Sequence, residues 1–266
     1  MHRQREETHL SVRICVLGSG SRGNSTLIAT EKARILLDAG FSKREAYARL
    51  DSIGEKCGGF DAIIVSHEHI DHVKGLETLA SDAQAPIYIS AATRDAIAWN
   101  GRAKIFEVFT SGEAFSVGDI EISPFTIPHD AADPVAFRID TQGIRIGVVT
   151  DLGYIPEHVK HHVSGCHCLI FESNHDLEML KIGPYPWHVK QRVMSRHGHL
   201  SNLATADFLR NDFDGAAQVL VLAHLSENNN HPDIVRMSAE EALMSRRAQP
   251  QMHLASQTVP SPVFRF

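Results

Sequence analysis

The chain has 266 residues, of which 43% are hydrophobic and 22% are charged, a balance typical of a folded globular protein rather than of extended disorder. Its formal net charge of -6 argues against a broadly basic nucleic-acid coat protein, but it leaves room for a local cationic groove. Residues 1–11 lack the apolar core of a signal peptide, and no apolar run is long enough to cross a bilayer, so we expect a cytoplasmic protein with no membrane partner.

A length of 266 residues fits one large domain as well as two small ones. We expect one domain, because no repeat, low-complexity tract or Pro/Gly/Ser-rich linker divides the chain. We assign residues 12–257 to this domain, residues 1–11 to a flexible N-terminal segment, and residues 258–266 to a loose C-terminal tail.

Short apolar, β-branched runs bounded by Gly, Ser, Asp or Pro predict strands, and apolar residues at helical spacing predict helices. In the first half of the chain, strands are predicted at residues 12–17, 26–29, 34–37, 62–65 and 87–89, and helices at residues 44–50, 73–79 and 93–99. In the second half, strands are predicted at residues 120–127, 135–140, 144–149, 168–172, 218–222 and 252–256, and helices at residues 157–161, 186–196, 203–210 and 234–245. Hairpin-like strand pairs mixed with strand–helix alternation indicate an α/β protein with mixed sheets covered by helices.

Residues 67–72, which read His-Glu-His-Ile-Asp-His, directly follow the predicted strand at residues 62–65. His67 and His69 alternate, so both side chains can enter one site at the end of the strand. Asp71 and His72 then close around a second position as the chain turns into a helix. This pattern predicts a pocket for two metal ions rather than an ordinary polar turn.

Three further metal donors each come first after an apolar strand, and they are His129, Asp151 and His224. Strand ends hold side chains rigidly at a cleft, so distant segments can bring ligands to one point. We expect one ion to take His67, His69 and His129, and the other to take Asp71, His72 and His224, with Asp151 as the bridge. Imidazole and carboxylate ligands together suit Zn²⁺, Mn²⁺ or Fe²⁺.

The ordered donors resemble those of the metallo-β-lactamase superfamily over almost the whole chain. More narrowly, five segments resemble the YycJ/WalJ-like subgroup: residues 17–25 (Leu-Gly-Ser-Gly-Ser-Arg-Gly-Asn-Ser), 172–176 (Glu-Ser-Asn-His-Asp), 183–188 (Gly-Pro-Tyr-Pro-Trp-His), 198–202 (Gly-His-Leu-Ser-Asn) and 222–229 (Leu-Ala-His-Leu-Ser-Glu-Asn-Asn). The resemblance implies a four-layer αββα sandwich with a binuclear site between its sheets. The subgroup implies a 5′-end-directed exonuclease on double-stranded DNA that serves repair.

A water bridging two cations loses a proton near neutral pH and supplies a hydroxide nucleophile. Asp71 would orient that hydroxide while acting as a ligand. The same chemistry serves β-lactams, thioesters, lactones and phosphodiesters, and the fold does not choose among these substrates. A small-molecule ester, thioester or lactone hydrolase therefore stays open, as does a regulatory metal-binding protein without catalysis.

Residues 198–202 bear on the substrate, because Ser201 or Asn202 is a candidate N-cap of the helix predicted at residues 203–210. His199 would then lie beside a helix N-terminus that favours an anion, and we place Ser201 with it as substrate-binding. The segment also resembles the Gly-His-Ala-Ser stretch of ribonuclease J-like nucleases. That resemblance implies that His199 contacts the scissile phosphate or protonates the leaving alkoxide; the alternative is a surface histidine near the cap.

The small polar loop at residues 18–25 either approaches a phosphate or simply forms a tight hairpin, and we expect Ser21 and Asn24 to contact substrate. A second polar feature is a set of cations along the helix predicted at residues 186–196, namely Lys190, Arg192 and Arg196. They form either a cationic wall for a nucleic-acid backbone or, as we prefer, a solvated helix face.

Two aromatic residues and two cysteines have no assigned function. Tyr185 and Trp187 could stack on a base, but the neighbouring prolines favour a rigid turn that packs both rings. Cys166 and Cys168 flank a histidine, which permits a soft-metal site with His161 and His162 nearby. We expect both thiols to pack in the core, since buried thiols are common in strands.

Overall fold

The computed structural model describes residues 11–246 and 248–266. Almost all of the N-terminal segment expected at residues 1–11 therefore lies outside the described residues. The strands are β1 (Arg13–Gly18), β2 (Ser25–Ala29), β3 (Arg34–Leu37), β4 (Ala62–Ile64), β5 (Ile87–Ser90), β6 (Phe106–Phe109), β7 (Phe115–Val117), β8 (Ile120–Thr126), β9 (Val135–Thr141), β10 (Ile144–Val149), β11 (Cys168–Glu172), β12 (Val219–Ala223), β13 (Gln251–Leu254) and β14 (Phe264–Arg265). The helices are α1 (Lys43–Ser52), α2 (Ile70–Val73), α3 (Leu76–Ala83), α4 (Ala91–Ala96), α5 (Glu157–Val163), α6 (Leu177–Ile182), α7 (Trp187–Val193), α8 (Asn202–Asn211) and α9 (Pro232–Arg246).

The strands form two seven-stranded sheets, and each sheet has an antiparallel half and a parallel half. The first sheet has the order β14-β1-β2-β3-β4-β5-β6, in which pairing is antiparallel as far as β3 and parallel from there on. The second has the order β13-β12-β11-β10-β9-β8-β7, in which β10 to β13 pair in parallel and β7 to β10 in antiparallel fashion. The mixed sheets expected from the sequence are confirmed.

Three apolar layers hold the sheets and helices together. Along β1, Ile14 and Val16 face the core between the two sheets, whereas Cys15 and Leu17 pack toward the outer helices, as the two-residue period of a strand requires. Helices α1 and α3 cover the first sheet, and α5, α8 and α9 cover the second. Strands buried on both faces read as continuous apolar runs in the sequence. The arrangement is the expected αββα sandwich.

Several elements differ from the prediction. The helix predicted at residues 73–79 is broken into α2 and α3 at Gly75, where an added Cβ would lie 1.8 Å from the carbonyl oxygen of Phe41. Strands β6 and β7 and helix α6 were not predicted. β7 has three residues and α6 has six, too few for a clear period.

The C-terminal tail is not loose, which corrects the expectation for residues 258–266. Its end forms β14, which pairs with β1, and the amide of Phe266 donates to the carbonyl of Val12. Phe264 enters the core between the sheets. The assignment of residues 12–257 to a single domain stays a prediction. Within residues 11–246 and 248–266, no helix is long and apolar enough to cross a membrane.

Candidate metal centre

The candidate donors meet where the parallel strands end. Residues 67–72 follow β4, Asp151 follows β10 by two residues, and His224 follows β12 directly. The carboxyl ends of parallel strands gather at one edge of each sheet. The residues after β4 of the first sheet meet those after β10 and β12 of the second sheet. His129 arrives from the end of β8 and completes the set.

The first donor group contains three histidines. His69 Nδ1 lies 3.1 Å from His67 Nε2 and 3.3 Å from His129 Nε2. This close approach of three ring nitrogens leaves them directed at one point, and together they could hold a metal ion. The trio is the one expected from the sequence.

The second donor group contains Asp71, His72 and His224. Asp71 Oδ2 lies 3.6 Å from His72 Nε2 and 3.5 Å from His224 Nε2. Asp151 contacts the same two rings, with Oδ2 at 3.4 Å from His72 Nε2 and Oδ1 at 3.3 Å from His224 Nε2. The structure also groups Asp151 with His67 and His72, as a residue between two ions would require.

Fixed partners hold the histidine rings from behind. His72 Nδ1 lies 2.8 Å from Asp38 Oδ2, His129 Nδ1 lies 3.2 Å from the carbonyl oxygen of Gly198, and His224 Nδ1 lies 3.1 Å from Glu172 Oε1. These contacts occupy Nδ1 and direct Nε2 into the cluster. Metal-binding histidines are usually oriented in this way.

The backbone is strained at three positions of the site. Asp38, Asp151 and His224 have φ values of 58°, 65° and 56°, among five non-glycine residues with positive φ in the described part of the chain. Such conformations cost about 1–3 kcal/mol each and persist where the surroundings impose them. The strain turns the chain sharply at the strand ends, where the donors are.

The pKa values of His67 and His72 are shifted as expected for a site that binds cations. Burial, and then the neighbouring histidines, hold the pKa of His67 well below its usual range, so its ring is neutral. Burial alone would lower the pKa of His72, but Asp38, Asp151 and Asp71 outweigh it and raise that pKa to about 9. Without a metal, the carboxylates thus draw a proton onto His72, and a divalent ion would take the place of that charge.

Among the described residues, two buried polar atoms of the cluster find no hydrogen-bond partner, namely Asp151 Oδ2 and His224 Nε2. Leaving such atoms unpaired costs about 1–3 kcal/mol each unless a ligand satisfies them. Both atoms face the other donors. The residues therefore fit two divalent cations with imidazole and carboxylate ligands.

Glu172 is a functional residue that the sequence analysis did not single out. It is fully buried at the end of β11, and Oε1 lies 2.9 Å from His199 Nδ1 and 3.1 Å from His224 Nδ1. Burial alone would raise the pKa of Glu172, but His199 and His224 outweigh it and hold that pKa well below its usual range. The sequence did carry a signal for Glu172. It is a carboxylate at the end of an apolar strand, just as Asp151 is a carboxylate shortly after β10.

His199 lies beside the cluster with its ring partly exposed to the cavity. The ring stacks on that of His224 with centroids 5.1 Å apart, and Nδ1 is used by Glu172. In the part of the chain that the structure describes, Nε2 makes no hydrogen bond and can contact a ligand. Gly198 precedes His199 and lets the backbone pass close to α7. Any other residue would clash there, because an added Cβ would lie 2.2 Å from the carbonyl oxygen of Val193.

The other expected substrate contacts divide into one that lines the cavity and two that do not. Ser21 is exposed and lines it. Asn24 is buried, with Nδ2 3.2 Å from Asp71 Oδ2 and 3.1 Å from His72 Nε2. The hydroxyl of Ser201 accepts from the amide of Ala204 and caps α8. Asn24 and Ser201 thus contact the protein's own structure, and their expected contact with substrate stays a prediction.

The three cations expected along one helix occupy three different environments. Lys190 is buried and its Nζ donates to the carbonyl of Lys181, 2.7 Å away, so neither a solvated face nor a cationic wall describes it. Arg196 is exposed and stacks over the ring of Tyr154 at 4.2 Å. Arg192 alone of the three lines the cavity, and its Nε donates to Asp130.

The aromatic pair and the cysteines also have definite positions. Trp187 is 62% exposed, so the expectation that a turn packs both rings is wrong for Trp187, which begins α7 with its ring in solvent. Tyr185 lines the cavity. Cys166 and Cys168 are buried, as expected for core packing, and burial raises the pKa of the Cys166 thiol to about 12. Within the described residues, no cluster of metal-ligating atoms includes a cysteine.

Comparisons with known proteins agree with the geometry. A family model described as the beta-lactamase superfamily domain matches residues 33–225. Exodeoxyribonuclease YycJ of Bacillus anthracis is 34% identical over 246 residues, which cover 88% of this chain and 90% of that protein. Exodeoxyribonuclease WalJ of Streptococcus pneumoniae is 32% identical over 236 residues, which cover 87% and 88% respectively. The metallo-beta-lactamase fold protein YhfI from Bacillus subtilis shares the fold, with a TM-score of 0.71, 19% identity, and 94% and 99% coverage.

Proposed function

Because the chain belongs to the beta-lactamase superfamily, we propose that this metal-dependent hydrolase is an exonuclease that cleaves phosphodiester bonds of DNA from the 5′ end. The observation that carries this proposal is His199, whose ring lines the cavity beside the donors while Glu172 holds its Nδ1 at 2.9 Å. Two relatives that are named exodeoxyribonucleases support it. Double-stranded DNA as substrate, a role in repair and a cytoplasmic location belong to the same proposal.

The proposed cofactor is a pair of divalent ions, Zn²⁺ or Mn²⁺, with Fe²⁺ also compatible with the donors. One ion would be held by His67, His69 and His129, and the other by Asp71, His72 and His224, with Asp151 between them. When bound, two such ions polarise a phosphodiester and lower the pKa of a water. Asp71, fixed by the amide of Asn24, would also orient the attacking water.

His199 and Glu172 would assist the departure of the leaving group. The attack breaks the bond from phosphorus to the leaving oxygen, which needs a proton. His199 Nε2 would donate that proton, and Glu172 would stabilise the positive charge on the ring through Nδ1. The ionised state of Glu172 suits this role, since its pKa lies well below the usual range.

The alternative functions have less support from the site. An ester, thioester or lactone hydrolase would need an apolar pocket without a phosphate-binding group, whereas Arg192 and several polar side chains line this cavity. A regulatory protein without catalysis would not need the complete donor set together with the Glu172–His199 pair.

The test compares wild type with Asp151→Ala and His199→Ala, each loaded with Mn²⁺ or Zn²⁺, on 5′-phosphorylated duplex and single-stranded DNA. Asp151→Ala should lose bound metal and activity together. His199→Ala should keep its metal and lose about 10²- to 10⁴-fold in kcat. Metal content is measured by elemental analysis and cleavage by gel electrophoresis.

The matched control is His197→Ala, which removes an exposed imidazole two residues away and should leave kcat unchanged. A metal-loaded wild type that degrades neither DNA but hydrolyses a thioester would reject the nuclease in favour of the small-molecule hydrolase. Full activity of His199→Ala would show that His199 is not the proton donor.

A further inference from the structure

The cavity beside the candidate metal centre is lined by other residues besides the donors. It has a volume of about 230 Å³, and its lining includes His69, Asp71, Asp151, His199 and His224. The lining also includes side chains of α7 and of the segment before it. These residues are Tyr185, Val189, Arg192 and Val193.

The cavity face of α7 follows from helical spacing. Val189, Arg192 and Val193 stand at positions i, i+3 and i+4, which share one side of a helix. The helix is held from behind by Lys190, which is buried and donates to the carbonyl of Lys181 in α6. The face is therefore a fixed wall rather than a free surface.

Arg192 brings a positive charge to a cavity rich in carboxylates. Its side chain is 54% exposed and its Nε donates to Asp130 Oδ2, while Asp130 Oδ1 lies 3.5 Å from His129 Nε2. Within the described residues, the two terminal nitrogens of the guanidinium have no hydrogen-bond partner. Asp130 thus anchors one edge of Arg192 and leaves two donor groups for an anion.

We propose that the cavity face of α7 is the wall that receives the DNA strand, with Arg192 binding a backbone phosphate and Tyr185, Val189 and Val193 contacting the sugar and base of the same nucleotide. This inference rests on the proposed nuclease function. A guanidinium suits a phosphate, and apolar and aromatic side chains suit a base. The pairing of one cation with an apolar surface fits one nucleotide unit.

The test compares metal-loaded wild type, Arg192→Gln and Arg192→Lys with Arg196→Gln as the matched control. Arg196 lies three residues after the end of α7, where it stacks on Tyr154 and does not line the cavity. Affinity is measured by fluorescence anisotropy with a 5′-phosphorylated duplex whose terminal linkages are phosphorothioates, over a range of salt concentrations. Metal content and thermal unfolding establish that each variant is folded and loaded.

Arg192→Gln should bind the duplex about tenfold or more weakly, and the slope of log affinity against log salt should fall in magnitude by about 0.9. Arg192→Lys should restore the slope but only part of the affinity, because lysine cannot form the two-pronged contact. Arg196→Gln should match wild type in both measurements.

The possible results distinguish this inference from the proposed nuclease function on which it rests. If wild type degrades DNA and Arg192→Gln binds with the affinity and salt slope of Arg196→Gln, the wall is rejected and the nuclease stands. If wild type neither binds nor cleaves DNA, both are rejected. Loss of kcat in Arg192→Gln with unchanged affinity would also overturn a binding role.

Discussion

Glu172 contacts both a candidate metal donor and the candidate proton donor. Its Oε1 contacts both His199 and His224, while Oε2 accepts from the backbone amides of Leu152 and Leu200. Four partners around one buried carboxylate fix its position. Both histidines therefore share the negative charge of Glu172 at their Nδ1 atoms.

Replacing Glu172 by Gln removes that charge and preserves the size of the side chain. We expect kcat on DNA, or the affinity for one metal ion, to fall about ten- to a hundredfold, because a ligand held by a lost hydrogen-bond partner is poorly oriented. Kinetics and metal titration on the same preparation separate the two effects.

The matched control is Glu178→Gln in α6, where the carboxylate is 77% exposed and pairs with Lys181. That variant should behave as wild type in both measurements. Equal activity and metal affinity for Glu172→Gln and Glu178→Gln would show that the charge of Glu172 is not used.

At the scale of elements, the sequence predicted the strands that are buried on both faces and the donors that follow them. β4 and β12 are continuous apolar runs and β10 is mostly apolar, and their patterns located residues 67–72, Asp151 and His224. The pattern failed where an element is short or lies at a sheet edge, as for β6, β7 and β14. It did not show the contacts that Asn24 and Ser201 make within the protein, since composition does not show which partner a polar side chain takes.

The edge strand β14 gives a test of this correction. Phe264 is buried in the core between the sheets, whereas Val259 in the same tail is 61% exposed. We expect Phe264→Ala to lower the free energy of unfolding by about 3 kcal/mol, because it leaves a cavity at the edge of the first sheet. Val259→Ala should change it by no more than about 0.5 kcal/mol.

Urea unfolding followed by circular dichroism measures both variants. A loose tail would make the two substitutions equally mild, so similar midpoints for Phe264→Ala and Val259→Ala would contradict the pairing of β14 with β1.

At the scale of the whole molecule, the two sheets bring carboxylates and histidines together at one edge of the sandwich. Burial alone would raise the pKa of Asp151, but His224 and His72 outweigh it and lower that pKa. His72, with a pKa of about 9, keeps its proton at neutral pH when no metal is present. The charge balance of the fold thus depends on whether protons or metal ions occupy the site.

Metal binding and stability should therefore change together with pH. The proton of His72 stabilises the metal-free fold fully below the usual histidine pKa of 6.5, and this contribution is lost as pH rises through about 9. A metal ion must displace that proton, so its apparent affinity should rise across the same interval, by up to about tenfold per pH unit for one proton. Thermal unfolding of metal-loaded and EDTA-treated protein from pH 6.5 to 9 should show a widening gap in Tm, with calorimetry in two buffers detecting proton release. A gap that narrows over this range, with no proton released, would contradict a protonated His72 in the metal-free site.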